Sequence, residues 1–247
     1  MNPFSLAGRR ALVTGANTGI GSAVAMALAT QGARVTCAGR RACTQTVDAI
    51  KRAGGEAEEL ILDFQDPMAA QTIFEGQGYS ILVNNAGIIR RDDSLSFSQE
   101  DWDAVMDVNL KAVFFTCQAF AKAAIAAENT PANIVNIASL LSFQGGIRVP
   151  SYAASKHGVA GVTKALANEW AAHGINVNAI APGYIATNNT TALQADPVRN
   201  AAILERIPMG RWGEAADIGG TAAYLCASAS RYVTGAVLNV DGGWLAR

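Results

Sequence analysis

Two histidines, His157 and His173, and four cysteines without a C-x-x-C pair leave this 247-residue chain short of the ligand spacing that a zinc site needs. No metal site is expected, and Cys37, Cys43, Cys117 and Cys226 are expected to be reduced thiols. An excess of either charge is also missing. The chain carries 19 basic and 20 acidic side chains, a net of −1, so no long-range field draws nucleic acid or an anionic membrane. No apolar run approaches the ~20 residues of a membrane span, and no apolar stretch follows a charged start as in a secretory signal. Repeats, charge blocks and low-complexity linkers are absent too. These absences predict a cytoplasmic protein whose partner is a small soluble molecule.

What is present is alternation. Short apolar runs, Ala11-Leu12-Val13, Val35 to Ala38, Glu59 to Leu62, Ile81-Leu82-Val83, Ile134 to Ala138, Ile175 to Ile180 and Val237 to Val240, read as strands. Helical patterns separate several of them: Gly19 to Gln31, Thr44 to Ala53, a long one over 98–126 and another over 151–172. Such alternation predicts a doubly wound, Rossmann-type α/β sheet of about seven parallel strands in a single domain covering 1–247. Between 184 and 212 the sequence turns polar and irregular, which predicts a lid or substrate loop.

Four blocks carry chemistry. Thr14-Gly15-Ala16-Asn17-Thr18-Gly19-Ile20-Gly21 lies between the first strand and its helix. Glycines there let backbone approach a pyrophosphate at a helix N-terminus, and Asn17, Thr18 and Ile20 complete the cradle. Asn84-Asn85-Ala86-Gly87 follows the fourth strand and Ser139 the fifth. Tyr152 and Lys156 stand at i,i+4, sharing one helix face, where an ammonium favours phenolate. Tyr152 can then act as general acid or base while Ser139 holds the reacting oxygen. That points to an alcohol dehydrogenase or carbonyl reductase.

The second strand ends in Gly39 where an acidic residue would bind a ribose 2′-hydroxyl, and Arg40 and Arg41 follow. These residues favour NADP over NAD. Arg148, the only charge between the two catalytic hydroxyls, suits a substrate carboxylate, with Gln144 as a hydroxyl partner.

The T-G-x-x-x-G-x-G turn, N-N-A-G, the serine and Y-x-x-x-K together resemble the short-chain dehydrogenase/reductase family over the whole chain. The resemblance implies that Asn84, Ala86 and Gly87 line the adenosine side, that Asp63 and Phe64 flank the adenine, and that Pro182, Gly183, Ile185 and Thr187 hold the carboxamide. It further implies that Lys156 binds the nicotinamide ribose, that Asn109 holds a water in a proton relay, and that the protein is a homotetramer. Similarity from Asn84 onward is greatest to a subgroup of sugar-acid enzymes of uronate breakdown. That subgroup oxidises 2-dehydro-3-deoxy-D-gluconate at C5 or reduces 3-deoxy-D-glycero-2,5-hexodiulosonate, usually with NAD, so either NAD or NADP stays open. Alternatives within the family are a gluconate 5-dehydrogenase or a 3-oxoacyl carrier-protein reductase. From a different class, a catalytically silent NAD(P)-sensing protein would keep the fold but not the Ser139, Tyr152, Lys156 set.

Overall fold

The computed structural model describes residues 2–246. In chain order the main elements are β1 (Arg10–Thr14), α1 (Gly19–Thr30), β2 (Arg34–Gly39), α2 (Thr44–Arg52), β3 (Glu56–Ile61), β4 (Tyr79–Asn84) and α3 (Gln99–Met106). They continue with α4 (Ala112–Ala126), β5 (Ala132–Ile137), α5 (Pro150–Trp170), β6 (Ile175–Pro182), α6 (Thr191–Ala195), α7 (Pro197–Arg206), α8 (Ala215–Cys226) and β7 (Val237–Val240).

The strands form one seven-stranded sheet in the order β3-β2-β1-β4-β5-β6-β7, and every neighbouring pair is parallel. Strands β1, β4 and β5 are almost wholly buried, which is why they read as unbroken apolar runs rather than as alternation. One core cluster packs α1, α2 and α8 on one face, and a second packs α4 and α5 on the other. Because all strands run the same way, their C-terminal ends share one edge. Gly15, Gly39, Asn85, Ser139 and Gly183, each at or just after a strand end, therefore meet there.

Four elements differ from the sequence expectation. The third strand runs Glu56–Ile61 rather than 59–62, because its mostly exposed residues lie at the sheet edge and give no apolar signal. Helix α8 was not expected; Gly219 lets it pack closely on Ala23 and Ala27 of α1, and its small residues Gly219, Gly220, Ala222 and Ala223 mute its periodicity. The helix expected over 98–126 is broken by a π-turn at Asp107–Lys111 between α3 and α4. The 184–212 segment is not irregular, since it folds into α6 and α7, with Asp196 capping α7 through the Val198 and Arg199 amides. These helices do not float free. With Leu140, Tyr184, Trp212 and Trp244 they build a third, smaller apolar cluster at the sheet's functional edge.

Candidate active site

The turn after β1 is shaped by contacts that only glycine permits. Gly15 has φ +64°, and a Cβ there would lie 2.8 Å from Asn85 Nδ2. A Cβ on Gly21 would collide with the Gly15 carbonyl and with the same amide. Asn85 holds this turn from outside: its Nδ2 donates to the carbonyls of Thr14 (3.0 Å) and Gly15 (3.1 Å). Thr14 Oγ1 in turn accepts from the amides of Asn85 and Ala86, both at 3.0 Å. The N-cap of α1, Thr18, makes no side-chain cap bond, and no acidic residue occupies the first turn. Amide donors and the positive end of the helix dipole are thus left for an anion. A Cβ on Gly19 would lie 3.4 Å from Thr187 Cγ2, so the segment after β6 lies over this turn. The cradle fits a dinucleotide pyrophosphate.

Gly39 and Asn17 adjoin: a Cβ on Gly39 would lie 3.8 Å from Asn17 Oδ1, but only 3.0 Å from the Arg41 carbonyl and 3.2 Å from Cys43 Sγ. A side chain at this position would need those neighbours to give by a few tenths of an ångström. The nearby carboxylate of Glu59 is engaged by the Cys43 amide at 3.0 Å and the Thr44 hydroxyl at 3.4 Å, while Arg40 and Arg41 are exposed. Phe64 is buried in the core and lines a small cleft with Thr14, Ala86 and Val113, whereas Asp63 is occupied with the Gln65 amide at 3.0 Å. The Asn84 side chain turns inward, donating to Asn136 Oδ1 (2.9 Å) and Cys117 Sγ (3.1 Å). It therefore stiffens β4 against β5 and can reach a ligand only through its backbone. Gly87 abuts Asn109, a Cβ there lying 3.3 Å from Asn109 Oδ1.

After β6, the Gly183 amide donates to the Val240 carbonyl at 2.9 Å, and a Cβ on Gly183 would lie 2.6 Å from Asp241 Cα. Ile185 is buried and bridges to Gly213, and the Thr187 amide donates to Thr190 Oγ1 at 3.0 Å. Pro182, Gly183, Ile185 and Thr187 are thus held as one strap beside the phosphate turn.

Pro150 opens α5 and sets Tyr152 and Lys156 one turn apart on its inner face. Lys156 is buried; its Nζ donates to the Ile137 carbonyl at 2.6 Å and stands 5.5 Å from the centre of the Tyr152 ring. Burial pushes the ammonium down to about 8 from the ordinary lysine value, so it remains mostly charged at neutral pH. In the protein without cofactor, burial raises the Tyr152 phenol above the usual tyrosine value, opposed by a hydrogen bond with Ser139 and by the charge of Arg91. Ser139 Oγ also accepts from the Leu141 amide at 3.1 Å, capping a 3-10 turn at Leu140–Ser142.

Asn109 sits fully buried in the π-turn, where i→i+5 bonding rotates it off the face a continuous helix would give it. Its Oδ1 accepts from the Ile88 amide and its Nδ2 donates to the Ile88 carbonyl, both at 2.8 Å, with a longer 3.4 Å bond to Ser155. That amide is spent as a clamp, so a relay water has only the backbone carbonyl to bind. Gly158 lets α5 approach, since a Cβ there would lie 2.7 Å from Leu110 Cδ2 in the same turn.

On the substrate side, both side chains assigned from sequence have protein partners. Arg148, at φ +63°, pairs with Asp92 at 3.8 Å on an exposed edge, so its charge is already answered. Gln144 Oε1 accepts from the indole nitrogen of Trp244 at 3.0 Å. Arg91 was missed. Its charge acts on the Tyr152 phenol, and its one hydrogen bond among the described residues is a 3.5 Å contact with the Asn189 carbonyl. Asn85 was legible in the N-N-A-G block, whereas Arg91 and Trp244 carry no local signal. Among the described residues no cluster of metal-ligating side chains occurs, and no helix is long and apolar enough to cross a membrane.

A dinucleotide cradle and a Tyr-Lys-Ser set on one edge of a parallel sheet define an NAD(P)-dependent oxidoreductase acting on CH–OH groups. Comparison with known proteins agrees. A family model described as enoyl-(acyl carrier protein) reductase matches residues 15–245. The chain is 52% identical over 252 residues to 2-dehydro-3-deoxy-D-gluconate 5-dehydrogenase of Escherichia coli (strain K12), covering 100% of this chain and 99% of that one. It superposes with a TM-score of 0.99 and 67% identity on an Agrobacterium tumefaciens crystal structure, each chain covered in full; that protein is provisionally assigned as a 2-deoxy-D-gluconate 3-dehydrogenase and holds NADP. A gluconate 5-dehydrogenase from Burkholderia cenocepacia in complex with NADP and tartrate superposes at 0.92 with 36% identity, covering 100% of this chain and 98% of that one. The chain belongs to the short-chain dehydrogenase/reductase family.

Proposed function

We propose that this protein interconverts 2-dehydro-3-deoxy-D-gluconate and 3-deoxy-D-glycero-2,5-hexodiulosonate with NAD or NADP, as a cytoplasmic homotetramer. The observation that carries the chemistry is the buried Lys156 ammonium one turn from a Tyr152 phenol that is itself hydrogen-bonded to Ser139. The sugar-acid assignment rests on full-length likeness to enzymes named for that substrate. When bound, the dinucleotide supplies or accepts the hydride.

Tyr152 gives its phenolic proton to the carbonyl oxygen in reduction and takes the hydroxyl proton in oxidation. With its phenol raised by burial, the free enzyme holds that proton ready for reduction. Ser139 shares a hydrogen bond with Tyr152 and positions the reacting oxygen beside it. Lys156 keeps its charge beside the phenol and has two further donors for a ribose. Asn109 keeps Ile88, and with it the N-N-A-G loop, fixed against the Tyr152 turn of α5. Gly39, Arg40 and Arg41 favour the 2′-phosphate of NADP, the cofactor held by the Agrobacterium and Burkholderia proteins.

The groove between α4 and α5, lined by Phe114, Ile125, Val162 and Trp170, supports the oligomer. The test is an initial-rate panel of 2-dehydro-3-deoxy-D-gluconate, gluconate and 2-deoxygluconate, each with NAD and NADP. Fastest turnover of the first is expected; reaction with none removes the sugar-acid assignment. A monomeric mass at micromolar concentration removes the tetramer.

A further inference from the structure

The C-terminal turn holds a side chain of the substrate wall in one orientation. The turn Trp244–Ala246 is folded by Asp241, whose carboxylate accepts from the amides of Gly243 (2.9 Å) and Leu245 (3.0 Å). Gly243, at φ +91°, lets this turn press on Pro208, where a Cβ would lie 2.9 Å from Pro208 Cγ. Trp244 is only 4% exposed. Its ring is held by the Arg206 guanidinium, 4.0 Å from the ring centre at the end of α7, and by Tyr184 at 4.8 Å. The indole N–H therefore has one place to point, and it points at Gln144.

An indole nitrogen donates and never accepts. Gln144 must meet it with its carbonyl oxygen, because the reversed amide would set two donors face to face. Among the described residues the NH2 end of Gln144 has no protein acceptor, and the residue is partly exposed in the segment between Ser139 and Tyr152.

We infer that Trp244 makes Gln144 a dedicated hydrogen-bond donor to the substrate cleft, reading an acceptor oxygen, carboxylate or hydroxyl, on the sugar acid. This rests on the sugar-acid reading above. Trp244 is then a positioning residue acting through Gln144, and α7 contributes by clamping the indole.

The test is steady-state kinetics of the full-length enzyme with NADP and 2-dehydro-3-deoxy-D-gluconate. Trp244→Phe keeps the ring against Arg206 but removes the donor, and should raise the substrate KM about fivefold while leaving kcat and the NADP KM unchanged. Gln144→Glu still accepts from the indole but turns a carboxylate oxygen to the cleft, and should raise the same KM by about tenfold or more. In a Gln144→Ala background, Trp244→Phe should add nothing further. Independent, additive losses, or a Trp244→Phe enzyme with unchanged substrate KM, overturn the inference. Neutron diffraction of the wild-type protein reads the amide without substrate, and deuterium on the Gln144 atom facing the indole overturns it as well. Wild-type inactivity on every acid of the panel removes the sugar-acid reading instead, and the neutron map alone then decides the polarity of Gln144.

Discussion

Replacing Lys156 by methionine should remove turnover and yet make the cofactor-free protein more stable at neutral pH. The ammonium is buried, and its proton affinity has fallen from the ordinary 10.5 to about 8. At about 1.4 kcal/mol per tenfold change in proton affinity, keeping Lys156 charged costs the fold about 3 kcal/mol at pH 7. Methionine of similar length avoids that cost but orphans the Ile137 carbonyl, which now accepts from Nζ at 2.6 Å. An unmet buried acceptor costs about 1–2 kcal/mol, so the net gain is about 1–2 kcal/mol. For a chain of this size that is a rise of about 3–6 °C in melting temperature.

The sign follows from linkage. Between pH 8 and 10.5 the unfolded chain binds a proton at Lys156 that the folded protein has released, so wild-type stability recovers across that window as pH rises. The advantage of Lys156→Met should therefore be full below about pH 8 and vanish towards 10.5, where only the orphaned carbonyl remains and the variant becomes the less stable protein. Thermal melts of both proteins across that range measure it. A variant that is less stable at pH 7, or a difference that does not change with pH, refutes the reasoning.

Gly21→Ala should abolish cofactor binding, measured by titration calorimetry, because its methyl must displace the Gly15 carbonyl or the Asn85 amide that shape the phosphate turn. Arg40→Ala should weaken NADP about tenfold and NAD hardly at all, the difference being one charge-assisted bond to the 2′-phosphate; equal losses reject the assignment. Arg91→Ala should lower kcat/KM for an acid substrate by about tenfold or more, and Arg148→Ala by much less, because Asp92 already answers Arg148 while Arg91 is close enough to act on the Tyr152 phenol. The reverse order in initial rates would return the substrate carboxylate to Arg148.

Much of the fold was legible because its signals are local. Buried parallel strands are short apolar runs, and a glycine turn needs only a few residues to state itself, so β1, β4, β5 and the phosphate cradle read directly. What repeated weakly was lost. Edge strand β3 shows no apolar pattern, and α8 hides its helical period among glycines and alanines. The π-turn could not be read, because one extra residue in a helical turn leaves no compositional mark and shows only in where Asn109 points. The catalytic types were legible, but their electrostatics were not. The spacing of Tyr152 and Lys156 argues for a lowered phenol, yet three-dimensional burial outweighs that proximity in the free protein.

The substrate side was the least legible part, and the reason is sequence separation. Arg148 and Gln144 have the right chemistry at the right place along the chain, but their partners decide what they can do. Asp92 comes from the loop after β4, and Trp244 stands 100 residues beyond Gln144 in the C-terminal turn. A side-chain amide can donate or accept, so residue type alone cannot say which group it would recognise. Only the donor-only indole packed behind it resolves that choice. On the reading proposed above, specificity is carried by residues that no motif includes, and relatives of this chain are named for different sugar acids.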